Sequence, residues 1–445
     1  MKVVIIGASF AGVAAALEVR KKHLHAEIIL LEKQPTLGYI PNGLHLYWEN
    51  IIDDLDAAYF ITKEQLEKQN IQCCLEAAVE KIDTTHKAVH YMFHEQEATI
   101  TYDKLIIATG SSQLSQKISG SASENVLKYK RHHEAQTALA KINDSQSVAI
   151  IGGGQVGIEA ADLLSKQQKH VTLIENMDYV LFKYFDKEMI QPLQQKMLEQ
   201  GIDLRLNQTV SAIEEEGEQP VTVHFGNDSV TSDTVILGVN VRPDLHFLDE
   251  HISLHMDQTI AVDRYMRTSV ADVFAVGDCI QLAYRGEEET VYIPLVNNAV
   301  RAGIVAAANL IQPEMAFKGS LRTIGTFIFG YYIASTGMTE AESIFSDQKV
   351  ETYRQEVRLT SLPNSDSVTI KWVYDATSHV LLGAQMISNS NILEKINTLA
   401  LAIQTKQTLE YLQQKDYFFH PSFTQMISAT NFVSWPEVRD DGNEN

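Results

Sequence analysis

The chain has 445 residues, 45% of them hydrophobic, with a formal charge of −21 and a pI near 5.1. That length exceeds what a single core fills, so about two or three domains are expected, with ample apolar material to bury. The negative charge repels phosphate backbones and anionic headgroups, which makes nucleic acid and membrane surfaces poor partners and favours a small diffusible substrate.

Three cysteines, Cys73, Cys74 and Cys279, are too few for a disulfide framework or a four-thiolate zinc site and fit a reducing cytoplasm. No metal site is read from the sequence. The N-terminal run also has the lysine, apolar stretch and Ala-rich end of a signal peptide. The glycine spacing inside it gives a better explanation, and no run approaches the roughly 20 apolar residues of a membrane span.

In chain order, "KVVIIGASFAGVAAALEVRKK" and "AEIILLEK" read as strand, small-residue turn, helix and second strand, a βαβ unit ending near Glu32. Its turn carries Gly7, Ser9 and Gly12. Ser9 is small enough for close approach of a diphosphate, and the helix N-terminus supplies free N–H groups. Next comes "YIPNGLHLYW", residues 39 to 48, where redox chemistry would lead one to look for a thiol and position 42 is Asn42. "NIQCCLEAAVEKI" is a strand whose adjacent cysteines point to opposite faces. "KLIIATGSS" closes the first module on a small-residue turn. The βαβ layout then recurs in "SVAIIGGGQVGIEAADLLSKQQKHVTLIE", residues 147 to 175, so two dinucleotides are expected.

In this second copy Gly152, Gly154 and Gly157 have the G-x-G-x-x-G spacing between strand and helix. The glycines serve the tight turn, the approach of backbone to a pyrophosphate, and helix-on-strand packing. Glu175 ends the next strand and suits a ribose 2′-OH; its charge would repel a 2′-phosphate, favouring NADH over NADPH. Further on lie "TVILGVNVRPD", the buried strand of "TSVADVFAVGDC", and an apolar helix in "IPLVNNAVRAGIVAAANL". From about Leu321, β-branched and aromatic alternation mixed with helical stretches reads as an α+β domain.

"LIIATGSS", "FAVGDC", the paired nucleotide units and the C-terminal region, through "RTIGTFIFGYYIASTGMTE" and "DYFFHPSF", together resemble the pyridine nucleotide-disulfide oxidoreductases. The resemblance is strongest to the group of NADH oxidases, NADH peroxidases and coenzyme A-disulfide reductases. It implies an α/β fold: two Rossmann-like dinucleotide-binding domains and a C-terminal α+β dimerisation domain. The expected division is an FAD-binding domain at 1–115 and 251–320, an NAD(H)-binding domain at 116–250, and an interface domain at 321–445 of a homodimer.

The resemblance further implies FAD contacts at Gly7, Ser9, Gly12, Glu32, Lys33, Thr109, Gly110, Asp278, Asn298 and Ala299. Asp278 would bind the ribityl chain, and the helix beginning near Asn297 and Asn298 would point its N-terminus at the flavin pyrimidine. On the NAD(H) side the implied residues are Gly152, Gly154, Gly157, Glu159 and Glu175.

Three departures from the family pattern fall on one pocket. Asn42 takes the place of the redox cysteine, Phe10 that of a nearby histidine, and Gln155 that of a tyrosine over the flavin. An amide is neither a thiolate nucleophile nor a two-electron store. His420 belongs to a segment that in relatives reaches the flavin site of the other subunit. The expectation is an FAD enzyme that takes electrons from NADH and discharges them directly, most simply to oxygen with release of peroxide. Two alternatives stay open: a diaphorase-like NADH dehydrogenase using a soluble quinone or other small acceptor, and a non-catalytic nucleotide-sensing flavoprotein.

Overall fold

The computed structural model describes residues 1–113, 118–215, 220–239, 241–285, 289–360 and 362–423. The segment "TQMISATNFVSW", where the chain leaves the family pattern, lies outside them. By contact density the chain forms two units, Met1–Ile151 with Val210–Ser320, and Gly152–Thr209 with Leu321–Asn445. Residues 116–151 and 210–250 thus fall in the first and 152–209 in the second.

The first unit is built on a parallel sheet in the order Val273–Ala275, Lys104–Ile107, Lys2–Ile6, Glu27–Leu31, Ile71–Cys74. A parallel sheet covered on both faces needs continuous apolar strands rather than alternating ones. Val3, Val4, Ile5 and Ile6 satisfy this and are buried at the sheet centre. The N-terminal apolar run is therefore core strand.

Helix Phe10–Lys22 starts at the glycine turn and carries Arg20, Lys21 and Lys22 in its last turn, where cations complement the exposed carbonyls. Arg20 also donates to the carbonyls of Leu24 and Asn70, at 2.6 Å each, and of Ala26 at 2.9 Å, which ties the helix end to two loops. Helix Val296–Ala308 packs along it. A second parallel set, Val126–Leu127, Thr234–Leu237 and Ser147–Ile151, completes the scaffold of this unit.

From Ile151 the chain runs straight into Gly152 of the second unit. There helix Gln155–Lys166 leads to strand His170–Ile174, paired in parallel with Asp203–Arg205. The rest of this unit is an antiparallel sheet in the order Ile324–Ile328, Tyr331–Gly337, Leu381–Ser388, Ser367–Asp375, Val350–Arg358. Helix Lys395–Gln404 buries Ile396, Leu399, Ala402 and Ile403 in a core shared with the fully buried Trp372. Removing that indole would cost roughly 3–5 kcal/mol. Beside it, the Lys371 ammonium is buried and pairs with Asp186 at 2.9 Å and with Glu188 and Glu340. These three carboxylates sit together because they neutralise one lysine. Among the described residues no helix is long and apolar enough to cross a membrane.

Candidate functional site

The two glycine turns are built to the same plan. At the first, a Cβ on Gly7 would stand 2.4 Å from the Ala108 carbonyl oxygen, and one on Gly12 would stand 1.9 Å from that of Gly7. Only hydrogen fits between this turn and its neighbouring strand. Ser9 caps helix Phe10–Lys22 by backbone alone, without a side-chain bond, and is exposed. Glu32, at the end of the second strand, accepts from the Ala8 N–H at 2.8 Å and the Gln34 N–H at 2.9 Å. Lys33 beside it is exposed.

The second turn repeats this. Glu175 is buried and accepts from the Gly153 N–H at 2.6 Å and the Met177 N–H at 2.8 Å. In both copies the acidic residue therefore clasps the middle of the glycine turn and its own following loop, which fixes the carboxylate at the lip of the turn. Gly154 is exposed, with nothing within 4 Å of where its Cβ would be. Gly157 is buried in helix Gln155–Lys166. Its open N-terminus and free N–H groups form a ready anion site. Glu159, one turn further, is 9% exposed; its Oε1 accepts from Gln155 Nε2 at 2.9 Å and Thr326 Oγ1 at 2.8 Å.

Back in the first unit, Asp278 follows the strand Val273–Ala275. Its Oδ2 accepts from Ser111 Oγ at 2.8 Å and Lys130 Nζ at 2.9 Å, while Lys130 also donates to Ser111 at 2.6 Å. Sequence reasoning missed Lys130; its only signal is membership of the basic run "KYKRHH". Thr109 Oγ1 is buried without a hydrogen-bond partner, and next to it Gly110 has φ of +66° and open space. An orphaned hydroxyl, a carboxylate held by a lysine and a turn with no room for Cβ fit a polyhydroxylated dinucleotide such as FAD.

Helix Val296–Ala308 begins one residue ahead of Asn297, and Ala299 is buried in it. Asn298 is also buried, but its amide donates to the Ile293 carbonyl at 3.3 Å and its Oδ1 faces Arg301 at 3.5 Å, so its side chain braces the helix start.

Of the residues that depart from the family pattern, Phe10 opens its helix and stacks on Phe60 with centroids 4.2 Å apart and planes at 9°. Asn42 is the exposed N-cap of helix Gly43–Trp48; its side chain makes no capping bond, and its carbonyl accepts from the Leu46 N–H at 3.1 Å. The same segment buries the Tyr39 hydroxyl and Trp48 indole N–H without partners, and His45 Nε2 lies 3.0 Å from the Tyr129 hydroxyl. Phe10 and Asn42 belong to the first unit, Gln155 and His420 to the second. His420 is exposed; its Nδ1 accepts from the Ser422 N–H at 3.2 Å and its ring lies over Phe423 at 4.8 Å.

The cysteines are poor nucleophiles. Burial pushes the Cys73 thiol up to about 11 and also raises Cys74. Cys279 is buried, pushed up to about 12, and donates to the Val276 carbonyl. None would be a thiolate at neutral pH.

The sequence profile of the pyridine nucleotide-disulphide oxidoreductases matches residues 1–303. The chain belongs to that family. The profile of the family's dimerisation domain matches residues 324–430. An NADH oxidase of Enterococcus faecalis is 30% identical over 98% of both chains. Among solved structures, a pyridine nucleotide-disulfide family oxidoreductase of Enterococcus faecalis V583 is 43% identical, with a TM-score of 0.88 and 97% of each chain covered. A water-forming NADH oxidase from Lactobacillus brevis, bound to NADH, is 28% identical with a TM-score of 0.92, covering 97% of this chain and 96% of that one. Both Rossmann-like domains and the C-terminal domain read from the sequence are thus present.

Proposed function

We propose that this FAD-dependent NADH oxidoreductase delivers electrons from reduced flavin straight to dioxygen, releasing hydrogen peroxide, with no cysteine redox centre between them. The observation that carries this is Asn42. It stands at the N-cap where the family pattern has its thiol, and the chain's three cysteines are held protonated elsewhere.

In this reading residues 1–115 and 251–320 bind FAD, 116–250 bind NADH, and 321–445 form the interface of a homodimer in a reducing cytoplasm. When bound, FAD takes two electrons from NADH and returns them to an oxidant. Thr109 and Asp278 would hold its polyhydroxylated chain, with Lys130 orienting the Asp278 carboxylate. Gly7, Ser9 and Gly12 would admit its diphosphate, and Glu32, fixed by two amides, would accept from its ribose. Gly152, Gly154 and Gly157 would seat the NADH pyrophosphate, with Glu175 on the ribose. The NADH oxidases among the relatives support the reaction class, although the Lactobacillus brevis enzyme forms water.

The deciding experiment is the product of aerobic NADH turnover by the purified holoenzyme, with catalase excluded. One peroxide per NADH is expected, and anaerobic titration should stop at about two electrons per FAD. Stoichiometric water, or uptake of four electrons, would sink the proposal. Rapid quinone reduction without oxygen uptake would move the assignment to a dehydrogenase.

A further inference from the structure

The turn at 255–259, bridged by Leu254 and Ile260, carries one side chain that its own geometry does not use. Backbone closes it: the His255 N–H donates to the Thr259 carbonyl at 2.8 Å and the Gln258 N–H to that of His255 at 3.0 Å, with Gln258 at φ of +66°. Asp257 locks it further, since its Oδ1 accepts from the Thr259 N–H at 3.2 Å and from Thr259 Oγ1 at 2.6 Å. Between them stands Met256, 102% exposed. Turns favour Gly, Pro, Asn, Asp and Ser, each for a backbone reason that a methionine does not supply. Left in water, its apolar side chain gains nothing from burial either.

What remains is the chemistry of the thioether. Among the described residues Met256 is the most open sulfur: Met315 follows at 42%, and Met197 and Met386 are wholly buried. Cys73 and Cys279 are buried as well, and half-buried Cys74 has Gln72 Nε2 3.8 Å from its Sγ. A small neutral oxidant in solvent therefore meets Met256 before any thiol. We propose that Met256 is an oxidation site for the hydrogen peroxide that reduced flavin releases, a sink placed where conversion to the sulfoxide leaves the fold untouched. The inference rests on peroxide being the product. In the step, a sulfur lone pair attacks one peroxide oxygen, the O–O bond breaks, and the departing hydroxide takes the proton of the transferred hydroxyl. One sulfoxide and one water result, the sulfur losing the two electrons that peroxide gains. At Met197 or Met386 the new polar oxygen would lie in the core without a partner; at Met256 water solvates it.

The test is peptide mass spectrometry of the FAD-loaded enzyme in two arms, resting enzyme given reagent hydrogen peroxide, and enzyme turning over NADH in air with and without catalase. In the first arm, at partial conversion, Met256 sulfoxide should exceed Met315 sulfoxide by at least about twofold, the ratio of their exposures, with Cys74 unmodified. In the second the same peptide should be oxidised, and catalase should suppress it. Met256→Leu, which keeps the bulk and removes the sulfur, should leave NADH turnover and melting temperature unchanged, as should oxidation confined to Met256. Modification of Met315 or Cys74 ahead of Met256 in the first arm overturns the proposal, and so does loss of activity or of melting temperature when Met256 alone is oxidised. Turnover that leaves Met256 reduced overturns the sink: free peroxide in that sample would place the failure in this inference, and its absence would place it in the product assignment.

Discussion

The two glycine turns and the segment from Tyr39 to Trp48 behave in opposite ways. The turns are tightly held: the first has no room for a Cβ at Gly7 or Gly12, the second turns at Gly152 with φ of +107°, and each is clasped by a glutamate accepting two amide hydrogens. The segment between them in the chemistry is loosely specified. Its N-cap Asn42 bonds nothing through its side chain, and two of its buried polar atoms have no partner. On the proposed reading, nucleotide binding would be held by backbone geometry, which tolerates little, while position 42 is a side chain capping a six-residue helix, where a change of residue need not disturb the turns.

The largest expected effect tests the first half of this contrast. Gly12→Ala would drive a methyl into the Gly7 carbonyl at 1.9 Å, and FAD content after purification should fall by at least about tenfold, read from the flavin absorbance of the folded protein. Normal flavin content would show that the turn yields more readily than the geometry allows.

Next in size is nucleotide choice. Glu175→Gln keeps an acceptor for the turn amides but removes the charge facing a 2′-phosphate, so the ratio of kcat/KM for NADH over NADPH should narrow on the order of tenfold. An unchanged ratio would assign discrimination to another group. Glu175→Ala should do this and also lower thermal stability, because the Gly153 and Met177 amides lose their acceptor.

Asn42→Ala tests the other half. With no side-chain hydrogen bond to lose, it should alter NADH oxidation by no more than about twofold and leave peroxide as the product. A tenfold loss would give Asn42 an active part and undo the contrast.

The smallest effect concerns a site remote from either turn. Burial opposes ionisation of Asp249, but hydrogen bonds from Thr84 and His251 outweigh it and hold its carboxyl below the ordinary range. A depressed carboxyl contributes stability above its unfolded value and loses it as pH falls, so Asp249→Asn should flatten the acid side of the melting profile below about pH 4. The hydrogen bond to Asp249 raises His251, whose contribution is complete below its unfolded value and is lost as pH rises through the raised one. Equal acid sensitivity in wild type and variant would locate the acid-labile groups elsewhere, with Asp272 paired to Lys104 and Lys87 the next to examine.

The sequence by itself determined the two βαβ units, their glycine spacing, the acidic residue closing each, and the absence of a thiol at position 42. These are local properties: backbone sterics, alternation of apolar runs and the chemistry of one side chain are all written within a few residues of where they act. Glu32 and Glu175 were legible as strand-end acids, although their grip on the turn amides was not. Only the tertiary structure decided that Lys130 holds Asp278 across 148 residues and that Thr326 reaches Glu159 across 167. Nothing in "YKRHH" or "TIGTFIF" distinguishes those side chains from solvent-facing or strand residues, because a long-range partner is fixed by the order in which strands and helices pack. That order follows from the burial of whole elements and not from any single residue.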